Sequence, residues 1–420
     1  MQVFQSNDID QYKKKALHWA SLFDTACYFD SNSYADPYSA FDVLIACGVN
    51  QQVQAGSGPA FNSLNEFLNQ TSGYRLGFFS YDLKNEVEEL RSDNPDHLHF
   101  PELFFFEPQH LVIIQGSRIR IISPDAQNIH EQIQAQTVHT AEKRAPVNFQ
   151  PRITREEYLT TVDKLREHIR KGDIYEVTFC QEFFAENTDV DPVSLFQELN
   201  AVSPTPFATF FKLQDKYIIS ATPERYLSRR GNKLISQPIK GTAGRSHDPQ
   251  VDQKIKEKLL HDEKEQAENV MIVDLVRNDL TRCAKPGTVR VEELFGIYSF
   301  RQVHQMISTV VCQADETLPN TEIIKKTFPM GSMTGAPKVR AMQLIEEYEQ
   351  SRRGVFSGAV GYFSPDGDFD FNVVIRSVLY NSTSGYLSYH VGSAITYEAE
   401  AAREYDECIL KASAIQSILK

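Results

Sequence analysis

Lys240 stands in the short segment Gln237-Pro238-Ile239-Lys240-Gly241-Thr242, and two acidic pairs follow it, Glu265 with Glu268 and Glu404 with Glu407. An amine is a nucleophile only when neutral, and a neighbouring cation favours that form. Four carboxylates without Cys or His nearby are the ligands of a hard divalent cation, and Mg2+ prefers octahedral oxygen with some waters retained. Together they describe an amine beside a metal that would hold a ligand oxyanion. Each part also has an ordinary reading. A lone lysine is commonly a surface side chain, and Glu404, Glu407 and Lys411 at spacings of three and four also describe an exposed salt-bridged helix face. Glu224, in Thr222-Pro223-Glu224-Arg225, is either a general acid or an ion-pair partner of a base such as Arg225. His304, in Val303-His304-Gln305-Met306, fits a core position more readily than a catalytic one. Gly392-Ser393-Ala394 ends a strand and could offer N–H groups to a carboxylate. Gly331–Lys338 has the outline of a phosphate loop but lacks the Gly before Lys, and Pro337 removes a donor, so nucleotide binding is not supported.

The elements that must position these residues follow from periodicity. Leu234–Ile239 reads as a strand, which puts Lys240 at its end in a glycine-containing turn. Residues about 251–275 read as one helix with Glu265 and Glu268 on one face. The last helix, about 400–419, has an apolar stripe of Tyr405, Ile409, Ala412 and Leu419 and a separate polar stripe of Glu404, Glu407 and Lys411. Thr154-Arg155-Glu156-Glu157 opens a helix with a capping box, Gly172 ends it, and the strand Ile174–Cys180 follows. Phe207–Phe211 with Lys216–Ser220, and Val355–Tyr362 with Phe369–Tyr380, read as hairpins. In the last of these, alternation sends Phe371, Val373 and Ile375 one way and Asn372, Val374 and Arg376 the other. Residues 1–145 hold short strands such as Arg75–Tyr81, Leu111–Ile114 and Ser117–Ser123. The polar stretch about 124–150 reads as a connector with one surface helix or, alternatively, as a long surface helix. The expected division is an N-terminal subdomain, 1–145, and a catalytic region, 151–420.

Composition excludes some classes. A net charge of −13 without a basic run argues against a nucleic-acid partner. The six cysteines are scattered, with no CxxC, and read as reduced thiols of a cytoplasmic protein. No run approaches the roughly 20 apolar residues of a membrane span, and the N-terminus has neither a basic nor an apolar leader region.

The stretch from about 153 to 420 resembles the chorismate-utilising enzymes: anthranilate synthase component I, aminodeoxychorismate synthase component I, and the isochorismate and salicylate synthases. Seven ordered motifs carry the resemblance. They are Gly172-Asp173-Ile174-Tyr175, Pro223-Glu224-Arg225, Pro238–Thr242, Ala267–Leu280, Gly331–Lys338, Ile375-Arg376 and the Glu404–Lys411 helix. In the Pro-Ile-x-Gly-Thr motif aminodeoxychorismate synthases carry Lys and anthranilate synthases Ala, so Lys240 aligns the chain with the branch leading to 4-aminobenzoate and folate. Isochorismate and salicylate synthases place a lysine in the strand after Tyr175, where this chain has Glu176, whose role stays open.

The resemblance implies a fold of two large antiparallel sheets packed as an α+β sandwich with flanking helices and a cleft between lobes. It implies Mg2+ held directly by Glu268 and Glu407 and through water by Glu265 and Glu404. Lys240 would attack ring C2 as the 4-hydroxyl departs, with Glu224 as acid, and ammonia would then add at C4 and expel the lysine. Arg376, Lys411, Gly241, Thr242 and the Gly392–Ala394 backbone (Gly392, Ser393, Ala394) would hold carboxylates, with His304 on the ring side. The alternatives are amination at C2 to give anthranilate, and an idle scaffold that activates a glutaminase. Phe356 departs from the Tyr or Trp of many relatives, Gly392–Thr396 is less glycine-rich than theirs, and no Leu-Leu-Glu-Ser segment is present. No Gly-x-Cys-x-Gly elbow occurs either, so the expected ammonia source is a separate glutamine amidotransferase subunit or solution.

Overall fold

Local signals set the helix ends in the computed structural model, which describes residues 1–138 and 146–419. Thr154 Oγ1 accepts from the Glu157 N–H and the Glu157 carboxylate accepts from the Thr154 N–H, so Arg155–Lys171 opens on the expected capping box. It closes on Gly172 at φ 84°, a left-handed conformation that suits a residue without Cβ. The helix expected over about 251–275 is two helices, Pro249–Leu260 and Glu263–Thr281. Asp262 separates them, and its carboxylate accepts from the N–H groups of Lys264 and Glu265. The cap therefore starts a new helix just before the first acidic pair.

Among the described residues all twenty strands join one antiparallel network. A long hairpin, Val43–Ala55 with Leu103–Gln115, carries it from one layer to the other. From the Val43 end the pairing runs through Thr25–Asp30, Phe207–Leu213, Lys216–Thr222, Ser377–Asn381, Tyr386–Ile395 and Glu176–Ala185. From the Leu103 end it runs through Arg75–Phe79, Ala359–Phe363, Phe369–Val373, Arg225–Arg230, Lys233–Gln237 and Val303–Gln313. The hairpin register shifts between Val49 and Gln51, an irregularity of the kind that bends a strand. The two sheets expected from the resemblance are thus two layers of one continuous sheet.

A phenylalanine-rich core fills the space between the layers: the Phe211 ring meets Phe78 and Phe104 edge to face, at 5.5 and 6.2 Å. A second core lies under the helices Ile9–Ser21, Arg155–Lys171, Pro192–Val202 and Ala401–Leu419. Early strands pair with late ones, so the first third of the chain is built into the same sheet. In the expected connector the helix Ala126–Ala135 buries Ile129 and Ile133, and His130 bonds Tyr12 at 3.1 Å, so it is packed rather than superficial. The boundary expected at 145 lies outside the described residues. All six cysteines are buried and free. No helix among the described residues is long and apolar enough to cross a membrane.

Gly77 and Gly361 face each other across neighbouring strands, and a Cβ on either would lie 2.0 Å from a backbone carbonyl oxygen. Gly361→Ala is expected to destabilise the protein by about 1–3 kcal/mol, the usual cost of overpacking. Gly56→Ala, where a Cβ meets nothing within 4 Å, should leave the urea midpoint unchanged.

Candidate active site

The segment expected as a turn around Lys240 is a short strand, Ile239–Gly244, paired with Val303–Gln313. Ile239 lies opposite Ile307 and Thr242 opposite Gln305, so the strand carries one extra residue, a bulge formed at Lys240 and Gly241. Gly241 takes φ 95°, and a Cβ there would press on Glu265 and Met306 at 3.1 and 3.2 Å. Asn269 fastens the bulge, donating to the Lys240 carbonyl at 3.4 Å and accepting from Ser308 Oγ at 2.6 Å. The bulge turns Lys240 into a cavity of about 180 Å3 between the layers.

There Lys240 Nζ donates to Glu176 Oε1 at 2.6 Å, with side chains 11% and 1% exposed. Burial alone would lower the lysine pKa, but Glu176 and then Glu268 reverse this, and it stands above its ordinary value. Lys240 is therefore an ammonium ion paired with Glu176, the residue whose role the sequence leaves open. Glu224 is buried on the same cavity, and burial pushes its carboxyl up to about 7 against the pull of Ser332, Lys240 and Arg376. Its pairing with Arg225 does not occur, because successive residues of an extended chain face opposite ways. Arg225 bonds Asp370 at 2.9 Å and Asp36 at 2.5 Å instead.

Glu265, Glu268, Glu404 and Glu407 all line the cavity. Burial and mutual repulsion push Glu265 up to about 7 and raise Glu268 and Glu404. Burial also works to raise Glu407, but Lys411 at 2.5 Å holds it below the ordinary range. The terminal helix Ala401–Leu419 differs from expectation: its buried stripe is Glu404, Cys408, Ala412, Ile415 and Leu419, and Tyr405 and Ile409 are only half-buried. Glu404 thus faces inward, which rules out the exposed salt-bridged face for that residue. Lys264 lies between Glu268 and Glu404, at 3.6 and 3.7 Å.

Five carboxyl groups line the cavity and a sixth, Glu176, pairs with its Lys240, against four cationic side chains, Lys240, Lys264, Arg376 and Lys411. The formal deficit of two charges and the all-oxygen donor set suit a hard divalent cation. The acids are gathered on one cavity but not closed: among the described residues no three ligating side chains already converge on one point.

Arg376 reaches the cavity by a different route from the expected alternation. The strand stops at Val373, the Ile375 N–H donates to the Val373 carbonyl, and Arg376 takes φ 52°. Ile375 and Arg376 consequently both line the cavity. Burial lowers the guanidinium to about 10, against the opposing pull of Glu407 and Glu224, and it remains a cation at neutral pH. Gly241, Thr242, Gly392, Ser393, Ala394 and Lys411 line the same space, and Lys411 Nζ donates to the Gly392 carbonyl at 3.0 Å.

His304 is the exception. Its ring nitrogens bond Ser299 Oγ at 2.8 Å and Asp252 Oδ1 at 3.0 Å, and it does not line the cavity. Its neighbour Gln305 does, because alternation along Val303–Gln313 sends the two to opposite faces. Other cavity residues that sequence reasoning passed over are Lys264, Ser332 and His390. The His390 ring stacks on Phe356 with centroids 4.7 Å apart, and burial lowers it to about 4. Lys338 is structural: it donates to both Asp279 oxygens at 2.7 Å and to the Pro329 carbonyl at 2.9 Å, tying Glu263–Thr281 to the Gly331–Lys338 loop.

A buried lysine, an acid poised near neutrality, a cluster of carboxylates and an arginine in one cavity of a two-layered antiparallel sheet define an enzyme for a small anionic substrate. The family model for chorismate binding enzymes matches residues 24–417, and the chain belongs to that family. Aminodeoxychorismate synthase component 1 of Escherichia coli (strain K12) is 32% identical, over 95% of this chain and 93% of that protein. Anthranilate synthase component 1 of Thermus thermophilus is 34% identical, over 81% and 76%. The crystal structure of anthranilate synthase component I from Streptococcus pneumoniae superposes with a TM-score of 0.79 at 26% identity, covering 91% of this chain and 93% of that one.

A carboxyl raised to about 7 costs stability once it ionises: the penalty is absent at pH 4, grows as pH rises above the unfolded-state value and is complete above 7. With chelator present, Glu265→Gln is therefore expected to melt above wild type at pH 8, with the difference vanishing towards pH 4. Melting curves at the two pH values check this.

Proposed function

We propose that the chain aminates chorismate at C4 to give 4-amino-4-deoxychorismate, with Lys240 as the covalent nucleophile. The observation that carries the reading is the buried Lys240–Glu176 pair, whose lysine lines the cavity. The ammonium ion must lose a proton before it attacks ring C2, and Glu176 at 2.6 Å is placed to take it. Glu224, held near its protonated form, gives its proton to the departing 4-hydroxyl, which leaves as water. Ammonia adds at C4, and the Lys240 nitrogen departs from C2 with a proton. Arg376 and Lys411 hold substrate carboxylates. Glu268 and Glu407 would hold Mg2+ directly, with Glu265 and Glu404 through water, and the bound ion supplies positive charge that offsets substrate carboxylate. The ammonia comes from a separate glutamine amidotransferase subunit, a reading supported by the designation of the relatives as component 1.

Amination at C2 to give anthranilate is the second reading, favoured by the equal similarity to anthranilate synthases. Lys240, where anthranilate synthases have Ala, supports the first.

Incubation with chorismate, Mg2+ and an ammonium salt, with products weighed by mass spectrometry, is expected to give an aminated product that keeps its enolpyruvyl group. Anthranilate with free pyruvate would install the second reading. Lys240→Ala and Glu224→Gln should each slow amination at least about 100-fold with the circular-dichroism spectrum of wild type, and Lys240→Ala, which leaves Glu176 buried and unpaired, should melt below wild type. Glu268→Gln should raise the half-saturating Mg2+ concentration by about tenfold or more. An unchanged Mg2+ titration would remove Glu268 from the metal site.

A further inference from the structure

Beside the main cavity lies a much smaller one of about 20 Å3, and the two share Pro223, Gln305 and Arg376. A space of that size holds one molecule like water or ammonia and nothing larger. Thr205 and Ala221 form part of its wall, and Arg301 and Gln302 lie on its outer side. That outer side is tied down: Arg301 donates to the Ala201 carbonyl and Gln302 to the Val202 carbonyl, at the end of helix Pro192–Val202.

Thr205 Oγ1 and Gln305 Oε1, on side chains 5% and 3% exposed, have no hydrogen-bond partner among the described residues. A buried polar atom left unpaired is costly, and two around one small void point to a donor that occupies it. Both oxygens can accept. We propose that this side cavity is a holding site for neutral ammonia beside the ring to be aminated, an inference that rests on the amination proposed above. Ammonia that donates to Thr205 Oγ1 and Gln305 Oε1 keeps its nitrogen lone pair free, which is the state a nucleophile needs. Charge at the two ends selects against the wrong form: Arg376 on the inner side and Arg301 on the outer side repel ammonium but not ammonia. Water shares the same hydrogen-bonding chemistry and is the competing occupant.

The test is steady-state kinetics of the full chain with chorismate, Mg2+ and ammonium chloride, the KM for ammonia and for chorismate being measured separately. Thr205→Val removes one acceptor at constant shape and should raise the ammonia KM about threefold to tenfold, the value of one hydrogen bond, with the chorismate KM unchanged. Ala221→Leu fills the cavity and should raise it further. Thr205→Ser keeps the hydroxyl and should behave as wild type. An ammonia KM unchanged in Thr205→Val overturns the proposal, whether or not Ala221→Leu folds. An unchanged ammonia KM with less of the product of water addition assigns the cavity to water and overturns it equally. If wild type forms no aminated product, the amination reading fails and this inference falls with it; loss confined to the ammonia KM of variants is the separate, supporting outcome.

Discussion

Crowding like charge into a space shielded from water is the constraint on which the rest of this molecule turns. Carboxylates removed from solvent resist ionisation, and each neighbour of the same sign adds to the resistance. The fold answers with cations placed one by one. Lys240 lies against Glu176, Lys411 against Glu407, Lys264 between Glu268 and Glu404, and Arg376 among them all. The answer is incomplete, and the acids of the site still outnumber its cations. A fully neutralised pocket would be more stable and chemically inert.

Holding such a cluster open requires rigid walls, and these are built from ion pairs that never meet the cavity contents. Arg353 donates to Glu349, to the Met333 carbonyl and to the Thr178 carbonyl, joining the Gly331–Lys338 loop to the strand Glu176–Ala185. Arg225 with Asp370 and Asp36, and Lys338 with Asp279, do the same for other walls. Removing one member of such a pair leaves the other buried and unpaired, which costs far more than the pair contributes. Much of what makes the motifs specific is therefore scaffold: Asn269, Asp279 and Lys338 hold elements in place.

The chemistry was legible wherever a residue type announced it. Lys240, Glu224 and the four metal-type glutamates do meet on one cavity, and the capping box, Gly172 and the hairpin Phe207–Leu213 with Lys216–Thr222 match their periodicity. What escaped depends on single-residue register. His304 and Gln305 differ by one step along a strand, so only the cross-strand partners decide which faces inward. Lys240 sits in a bulge rather than a turn because pairing to a distant strand, invisible locally, captures Ile239–Gly244. Arg376 escaped the alternation because the strand expected to run to Tyr380 ends at Val373, three residues before the arginine. Glu404 reads as exposed by type, and only tertiary packing shows that it belongs to the stripe of Cys408 and Ala412. Glu176 could not be given a role until its partner, 64 residues away, was seen.

The terminal helix carries a wider consequence. Ala401–Leu419 alone contributes Glu404, Glu407 and Lys411, and its buried stripe is what fixes it to the sheet. Docking of that one helix brings a third of the acids and a quarter of the cations to the site at once. Any ligand bridging the two acidic helices binds only the docked form, so its binding energy becomes docking energy. Occupancy of the cavity and order at the far end of the sequence are one equilibrium.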